Sequence, residues 1–266
     1  MVELAGGADP GLARAGRIRD FLLGDGHNLA ADRRLAAELE AAVPDIRQVI
    51  RLNRIFLHRA VCFLLAAGIR QFLDLGSSVL AAGNVRQIVR QSGPGCRTVH
   101  VDADPITVRQ GRSLLGELAD TAVLLADPAD AREVFDHPDT LGLLDLEQPV
   151  GVIMVDLLHF LPDAADPAAI VAGYRRRLVP GSQVVLSHFT GDHWPARLTR
   201  ATVEVMSASG DPIHPRTHEQ VTAMFAGFEL LEPGVVGVGE WHPDRRLDPA
   251  EERAAAALHV GVARVP

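Results

Sequence analysis

Five short apolar runs separated by helical segments constrain this chain more than any other feature. They are RQFLDL near 70–75, RTVHVD at 97–102, TAVLLAD at 121–127, PVGVIMVD at 149–156 and SQVVLSH at 182–188. Helix candidates fall between them, at 82–92, 105–118, 130–136 and 166–178. Near-continuous apolar strands alternating with helices predict a parallel sheet covered on both faces, and hence a doubly wound, mostly parallel α/β fold.

The flanking regions read differently. Residues 11–67 are helical in pattern: Ile18, Phe21 and Leu22 share one face, and Ile46, Val49, Ile50, Phe56, Leu57 and Val61 recur at helical spacing. The turn cluster GDGHN at 24–28 and the step at Pro44 divide this stretch. After helices expected at 196–208 and 217–225, FELLEPGVVGVGEW and ALHVGVARV read as strand-like pieces, predicting an antiparallel hairpin at one sheet edge. The charged segment at 242–257 reads as a solvated loop or short helix.

Composition narrows the function. With 26 basic against 34 acidic residues, a net charge of -8 and no dense Lys/Arg run, the chain lacks the footprint of a nucleic-acid binder. The longest apolar stretch, VGVIMVDLLHFL, is interrupted by Asp156 and His159, so no membrane span is expected. Neither Cys62 nor Cys96 belongs to a paired motif. Free thiols and a start without a secretory pattern predict a cytoplasmic protein.

Ligands of a doubly wound sheet sit outside the carboxyl ends of its strands. Those ends carry Asp74 with Gly76, Asp102, Asp127, Asp156, and Ser187 with His188. The first strand leads into FLDLGSSVLAAGN, a loop without the second and third glycines of a dinucleotide fingerprint. Asp74 just before the turn repels a pyrophosphate and suits an ammonium, as on S-adenosylmethionine. Asp102 is placed for ribose hydroxyls, a role shared with nicotinamide enzymes. Asp127 either receives an adenine amine or caps the next helix; Asp104, before Pro105, reads as a cap. Three acids with no basic residue among them predict a cationic nucleoside.

The order and spacing of IRDFLLGDGHNLAAD (18–32), LNRIFLHRAV (52–61), QFLDLGSSVLAAGNVR (71–86), TVHVDADPIT (98–107), LHFLPD (158–163) and LSH (186–188) resemble the S-adenosylmethionine-dependent methyltransferase family of actinomycetes that long carried an unknown-function label. The resemblance implies a class I methyltransferase fold, its seven-stranded sheet closed by the antiparallel hairpin. An N-terminal helical lid (1–67) and a Rossmann-like core (68–266) would form one structural unit. It implies S-adenosylmethionine as cofactor, with Asp74 and Gly76 at its methionine end, Asp102 at the ribose and Asp127 at the adenine. Ser77, Ala103 and Ala126 complete that set, and Asp20, Asn28 and Asn84 match family motif positions. The family's GTG reads GSS here, so Ser78 places a side chain where the family has none. A non-catalytic sensor or scaffold on the same fold, and a nicotinamide oxidoreductase, remain the alternatives.

Methyl transfer asks chiefly for alignment of the acceptor, with a base optional. His159 is the first candidate proton acceptor and His188 the second, with Asp156 orienting a substrate or pairing with a histidine. His193 and Trp194 line the acceptor pocket or cover the sheet edge. The 11 histidines form no metal-binding pattern, so no metal is expected. The expected partner is a small-molecule methyl acceptor of specialised metabolism; the sequence leaves a homodimer open.

Overall fold

The computed structural model describes residues 9–76, 83–91, 95–116 and 118–266. Three helices lead the chain: α1 (Ala15–Leu23), α2 (Ala30–Ala42) and α3 (Ile46–Ala66). Gly24, at φ +93°, ends α1 in the left-handed conformation that glycine adopts without strain. Along the 21 residues of α3, Ile46, Val49, Asn53, Phe56, Ala60 and Leu64 form one buried stripe.

Beyond α3 run β1 (Gln71–Leu75), α4 (Val85–Gln91), β2 (Arg97–Asp102), α5 (Pro105–Leu115), β3 (Thr121–Leu125), α6 (Ala131–Asp136), α7 (Pro138–Leu143), β4 (Gly151–Met154), α8 (Pro167–Arg175) and β5 (Gln183–Phe189). The chain continues through α9 (Ala196–Met206), α10 (His218–Ala223), β6 (Glu229–Leu230), β7 (Val236–Gly237), α11 (Pro249–Ala255) and β8 (Leu258–Arg264). Strand order is β3-β2-β1-β4-β5-β8-β6, with β7 also on β8. The first five strands are mutually parallel, and β8 runs antiparallel to β5. The doubly wound, mostly parallel α/β expectation is met.

Side chains alternate across the sheet. Phe72, Ile153 and Val185 pack with α1–α4 on one face; Leu73, Val152, Met154 and Leu186 pack with Val134, Val171 and Tyr174 on the other. Strand order reverses between β1 and β4, opening a crevice at their carboxyl ends.

The antiparallel hairpin expected at one sheet edge is present: β8 lies between β5 and the short β6 and β7, which pair with it at Leu230↔Ala263 and Val236↔Val260 as one interrupted strand. Pro233 supplies no N–H and the neighbouring glycines weaken extended structure, so little of that run pairs. The 242–257 segment contains the expected short helix, with one face of it buried. Asp248 and Glu251 form a capping box that starts α11, and Ala254 and Ala255 are buried. Next to it, Trp241 is wholly buried, edge-on to Phe56 of α3 at 5.3 Å between ring centres.

Candidate active site

The crevice is built from strand ends. Gly76 follows β1 at φ +67°, a conformation L side chains rarely adopt, and a Cβ there would stand 2.8 Å from Leu157 Cδ1, so a larger residue would be strained and would displace that side chain. Its N–H donates to Val101 O at 2.9 Å, drawing the turn against β2. Asp102 ends β2; its Oδ1 accepts from Asp104 N at 2.9 Å, while Oδ2 has no protein donor among the described residues. Asp127 Oδ1 accepts from Ala129 N at 2.8 Å, and the cap of α6 is Asp130, so Asp127 is not a helix cap. Asp104 is one, accepting from Ile106 N and Thr107 N. Asp156, just past β4, sits at φ +56° with its N–H donating to Ser187 Oγ of β5 at 3.1 Å. Gly76, Asp102, Ala103, Asp127 and Asp156 line a cleft of about 290 Å³, walled opposite by Arg19, Gly210 and Asp211. Burial, reinforced by the Asp104 and Asp211 charges, pushes the Asp102 carboxyl up to about 6, against the pull of the Asp104 N–H.

The acids of this rim are not alone, as the sequence reading expected. Arg19 of α1 reaches Asp156 Oδ2 at 2.9 Å and donates to Gly76 O at 3.2 Å. Asp74 accepts from His100 Nδ1 of β2 at 3.0 Å. Between them lies a cavity of about 10 Å³, room for one water, bordered by Arg19, Arg54, Asp74 and Asp156. Arg54 comes from α3 and, among the described residues, donates to Gly83 O at 3.4 Å. Burial first, and repulsion from Arg19 next, lower its pKa to about 10, which leaves it cationic at neutral pH. Arg17, almost wholly buried, bridges Asp32 of α2 and Asp104 and so ties the helices to the β2–α5 corner.

A second cavity, of about 70 Å³, lies beneath the helices and shares Arg19, Asp156 and Phe160 with the cleft. Its lining is apolar apart from Arg19, Asp156, His159 and Thr202. Nδ1 of His159 accepts from Phe189 N at 3.3 Å, so the neutral ring carries its proton on Nε2, 4.0 Å from Asp156 Oδ1. Burial lowers this histidine to about 4. The ring is therefore neutral at physiological pH, and it presents a donor to the cavity where the sequence reading expected a proton acceptor of near-neutral pKa.

His188 does not reach either cavity. Nδ1 donates to Phe189 O at 2.8 Å and Nε2 accepts from Arg216 Nη1 at 3.0 Å; burial holds the ring well below its usual pKa. Arg216 also donates to Leu158 O and Leu161 O, so this pair clamps the turn after β4. Asp20 and Asn28 bond each other at 2.8 Å and close the α1–α2 loop instead of lining the cleft. Asn84 Oδ1 accepts from Gln87 N at the start of α4, and Ala126 is buried behind the rim, its N–H donating to Asp102 O. Ser77 and Ser78 lie outside the described residues. Trp194 packs on Phe189, and neither it nor His193 borders the apolar cavity.

Arg19, Arg54 and Asp211 escaped the sequence reading because only tertiary packing brings α1, α3 and the 209–211 turn to the strand ends. Asp102, with one oxygen unclaimed at the second strand end, and the close turn at Gly76 suit an adenosine bearing an amino acid end. The sequence profile of the S-adenosyl methyltransferase family matches residues 6–266. A candidate methyltransferase of Thermobifida fusca YX is 33% identical, with a TM-score of 0.89 over 99% of each chain. A DUF574 family protein of Streptomyces avermitilis MA-4680 is 32% identical, with a TM-score of 0.88 over 98% of this chain and 100% of the other. No curated protein matches the sequence at significance. A cleft at the strand ends of a sheet of this order thus joins a family match spanning nearly the whole chain: the protein belongs to the S-adenosyl methyltransferase family and is an S-adenosylmethionine-dependent enzyme of class I fold.

Proposed function

We propose that the enzyme methylates a small, largely apolar molecule bearing one nucleophilic hydroxyl or amine, seated in the cavity beneath α1–α3, as a step of specialised metabolism. The observation that carries this reading is the junction at Asp156. There the apolar cavity and the cofactor cleft share a wall, so an acceptor on one side meets a methyl donor on the other. The cofactor supplies a methyl group already activated on a sulfonium; the protein's task is alignment and proton removal. Asp156 takes the acceptor's proton, and His159 Nε2–H fixes the acceptor's polar atom in line. His188 works at a distance, through Arg216 and the turn that carries His159. Residues 1–67 act as a lid on the 68–266 core and exclude water. In the cleft, Asp102 with Ala103 holds the ribose, Asp127 the adenine, and Gly76 with Asp74 the amino acid end.

Titration calorimetry with S-adenosylhomocysteine tests the cofactor assignment. Wild-type protein should bind it, and Asp102→Ala, folded normally, should bind ~10- to 100-fold more weakly, the loss expected for hydrogen bonds to a charged group. Unchanged affinity in the variant removes the ribose assignment. With a methyl-labelled cofactor, label should enter small apolar hydroxyl or amine compounds; label entering protein or RNA instead overturns the acceptor class.

A further inference from the structure

One buried side chain joins the helices to the rim from outside both cavities. Arg17 of α1 borders neither the cofactor cleft nor the apolar cavity. Its guanidinium donates from Nε to Asp32 Oδ2 at 2.8 Å, from Nη2 to Leu12 O at 2.7 Å, and from Nη1 to Asp104 Oδ2. Both carboxylates are buried, and each has a second task. Asp32 accepts from Leu29 N at 2.7 Å and so starts α2. Asp104 caps α5, and its own N–H donates to Asp102 Oδ1 at 2.9 Å. A guanidinium between two acids in a dry site adds little stability over apolar packing, and its best-attested use is to fix geometry. The geometry within reach of this one is that of Asp102.

We propose that Arg17 is a positioning residue for the cofactor: its hold on Asp104 keeps the Asp102 carboxylate oriented with Oδ2 left for the ribose, and its hold on Asp32 makes that orientation depend on the docking of α1 and α2. This rests on the reading of Asp102 as the ribose acid and adds what controls it. Burial disfavours the charged form of Asp102, the Asp104 N–H favours it, the Asp104 and Asp211 charges disfavour it, and Arg19 favours it. A guanidinium that pins Asp104 and offsets its charge therefore serves Asp102 twice, in orientation and in ionisation. Coupling of this kind is reciprocal. A ligand that fastens Asp102 must tighten the docking of α2, although α2 lines no part of the cleft.

A double-mutant cycle read by calorimetry near neutral pH, with S-adenosylhomocysteine as the probe, tests the route. Arg17→Gln should weaken binding ~5- to 50-fold, within the usual range of coupling between sites. In an Asp102→Ala background the same change should cost less than about twofold, because its effect travels through Asp102. Losses that multiply in the double variant, as a merely structural arginine would give, overturn the proposal, and so does an unchanged affinity in Arg17→Gln. Hydrogen exchange on the wild-type protein decides the matter if Arg17→Gln does not fold. Saturating S-adenosylhomocysteine should slow exchange in α2 at least ~5-fold more than in α8, which packs on the far face of the sheet. Equal changes in the two helices overturn the proposal. Wild-type protein that does not bind the probe overturns the cofactor reading as well, and Asp102→Ala binding at full strength overturns the ribose assignment together with this inference. A weakened Asp102→Ala beside an indifferent Arg17→Gln overturns this inference alone.

Discussion

The sheet rim and the helices above it carry opposite charge. The rim presents Asp74, Asp102, Asp127 and Asp156; the helical region presents Arg14, Arg17, Arg19 and Arg54. Ion pairs stitch the two together at Arg17–Asp104 and Arg19–Asp156. Burial first, and the nearby Asp104 and Asp211 charges next, disfavour the Asp102 carboxylate, and Arg19 arriving from α1 offsets part of that. The rim supplies carboxylates; the helices supply the charge that makes the rim tenable. Each region is incomplete without the other.

The largest effect should come where the two regions touch the acceptor. Asp156→Asn preserves shape and removes the charge that holds Arg19 and takes the proton. Turnover should fall ~10²- to 10⁴-fold, the usual contribution of a general base, while S-adenosylhomocysteine affinity stays within about tenfold. Steady-state kinetics with an acceptor found by methyl labelling, beside calorimetry, separates the two. If turnover survives, Asp156 is only the counter-ion of Arg19, and the contrast between rim and helices is structural alone.

Next in size is the anchor of the helices. Asp32 is fully buried and accepts from Arg17 Nε at 2.8 Å, Leu29 N at 2.7 Å and Arg14 N at 3.0 Å. Asp32→Ala strips Arg17 of one of its two carboxylates in a dry site, and breaking such a pair destabilises by about 3–5 kcal/mol. Urea unfolding reads this directly. A loss below about 1 kcal/mol would mean that packing of α1–α3 on the sheet holds them in place, and that the buried ion network adds little.

The two regions also differ in how much of them could be read in advance. Asp74, Gly76, Asp102 and Asp156 were legible because a parallel strand announces itself by local apolar pattern and its last residue must face the crevice. Arg19 and Arg54 were not. Each sits on a helix whose periodicity says which side is buried but not what it is buried against, and a cation pointing at a rim looks the same in sequence as one pointing at water. His159 was found and misjudged for a related reason: its position after β4 is a local fact, but the hydrogen bond from Phe189 N, which puts the proton on Nε2, comes from a strand thirty residues on. A short helix at α11 was expected, but its buried face was not, because the charges of Arg245, Asp248 and Glu251 bond one another and not water alone.

The smallest effect separates the rim from the helices by pH. The Asp102 carboxyl stands at about 6 in place of its usual 3.8, so the free, folded protein favours the protonated form. Its contribution to stability is present below about 4 and is lost as pH rises through about 6. Ligand binding has the opposite sign. Ribose hydroxyls donate best to the carboxylate, so below pH 6 a proton must leave before the ligand is held well. Affinity for S-adenosylhomocysteine should be level above about pH 7 and fall ~10-fold from that plateau by pH 5, with proton release visible in buffers of different ionisation enthalpy. His159, held near 4 by burial, stays neutral across that window and contributes nothing to it. Asp102→Asn should flatten the profile at a weaker affinity. Should the fall persist in Asp102→Asn, the titrating group belongs to another part of the cleft, Asp211 being the next acid that burial raises, and the ribose would be held from the helical side and not from the rim.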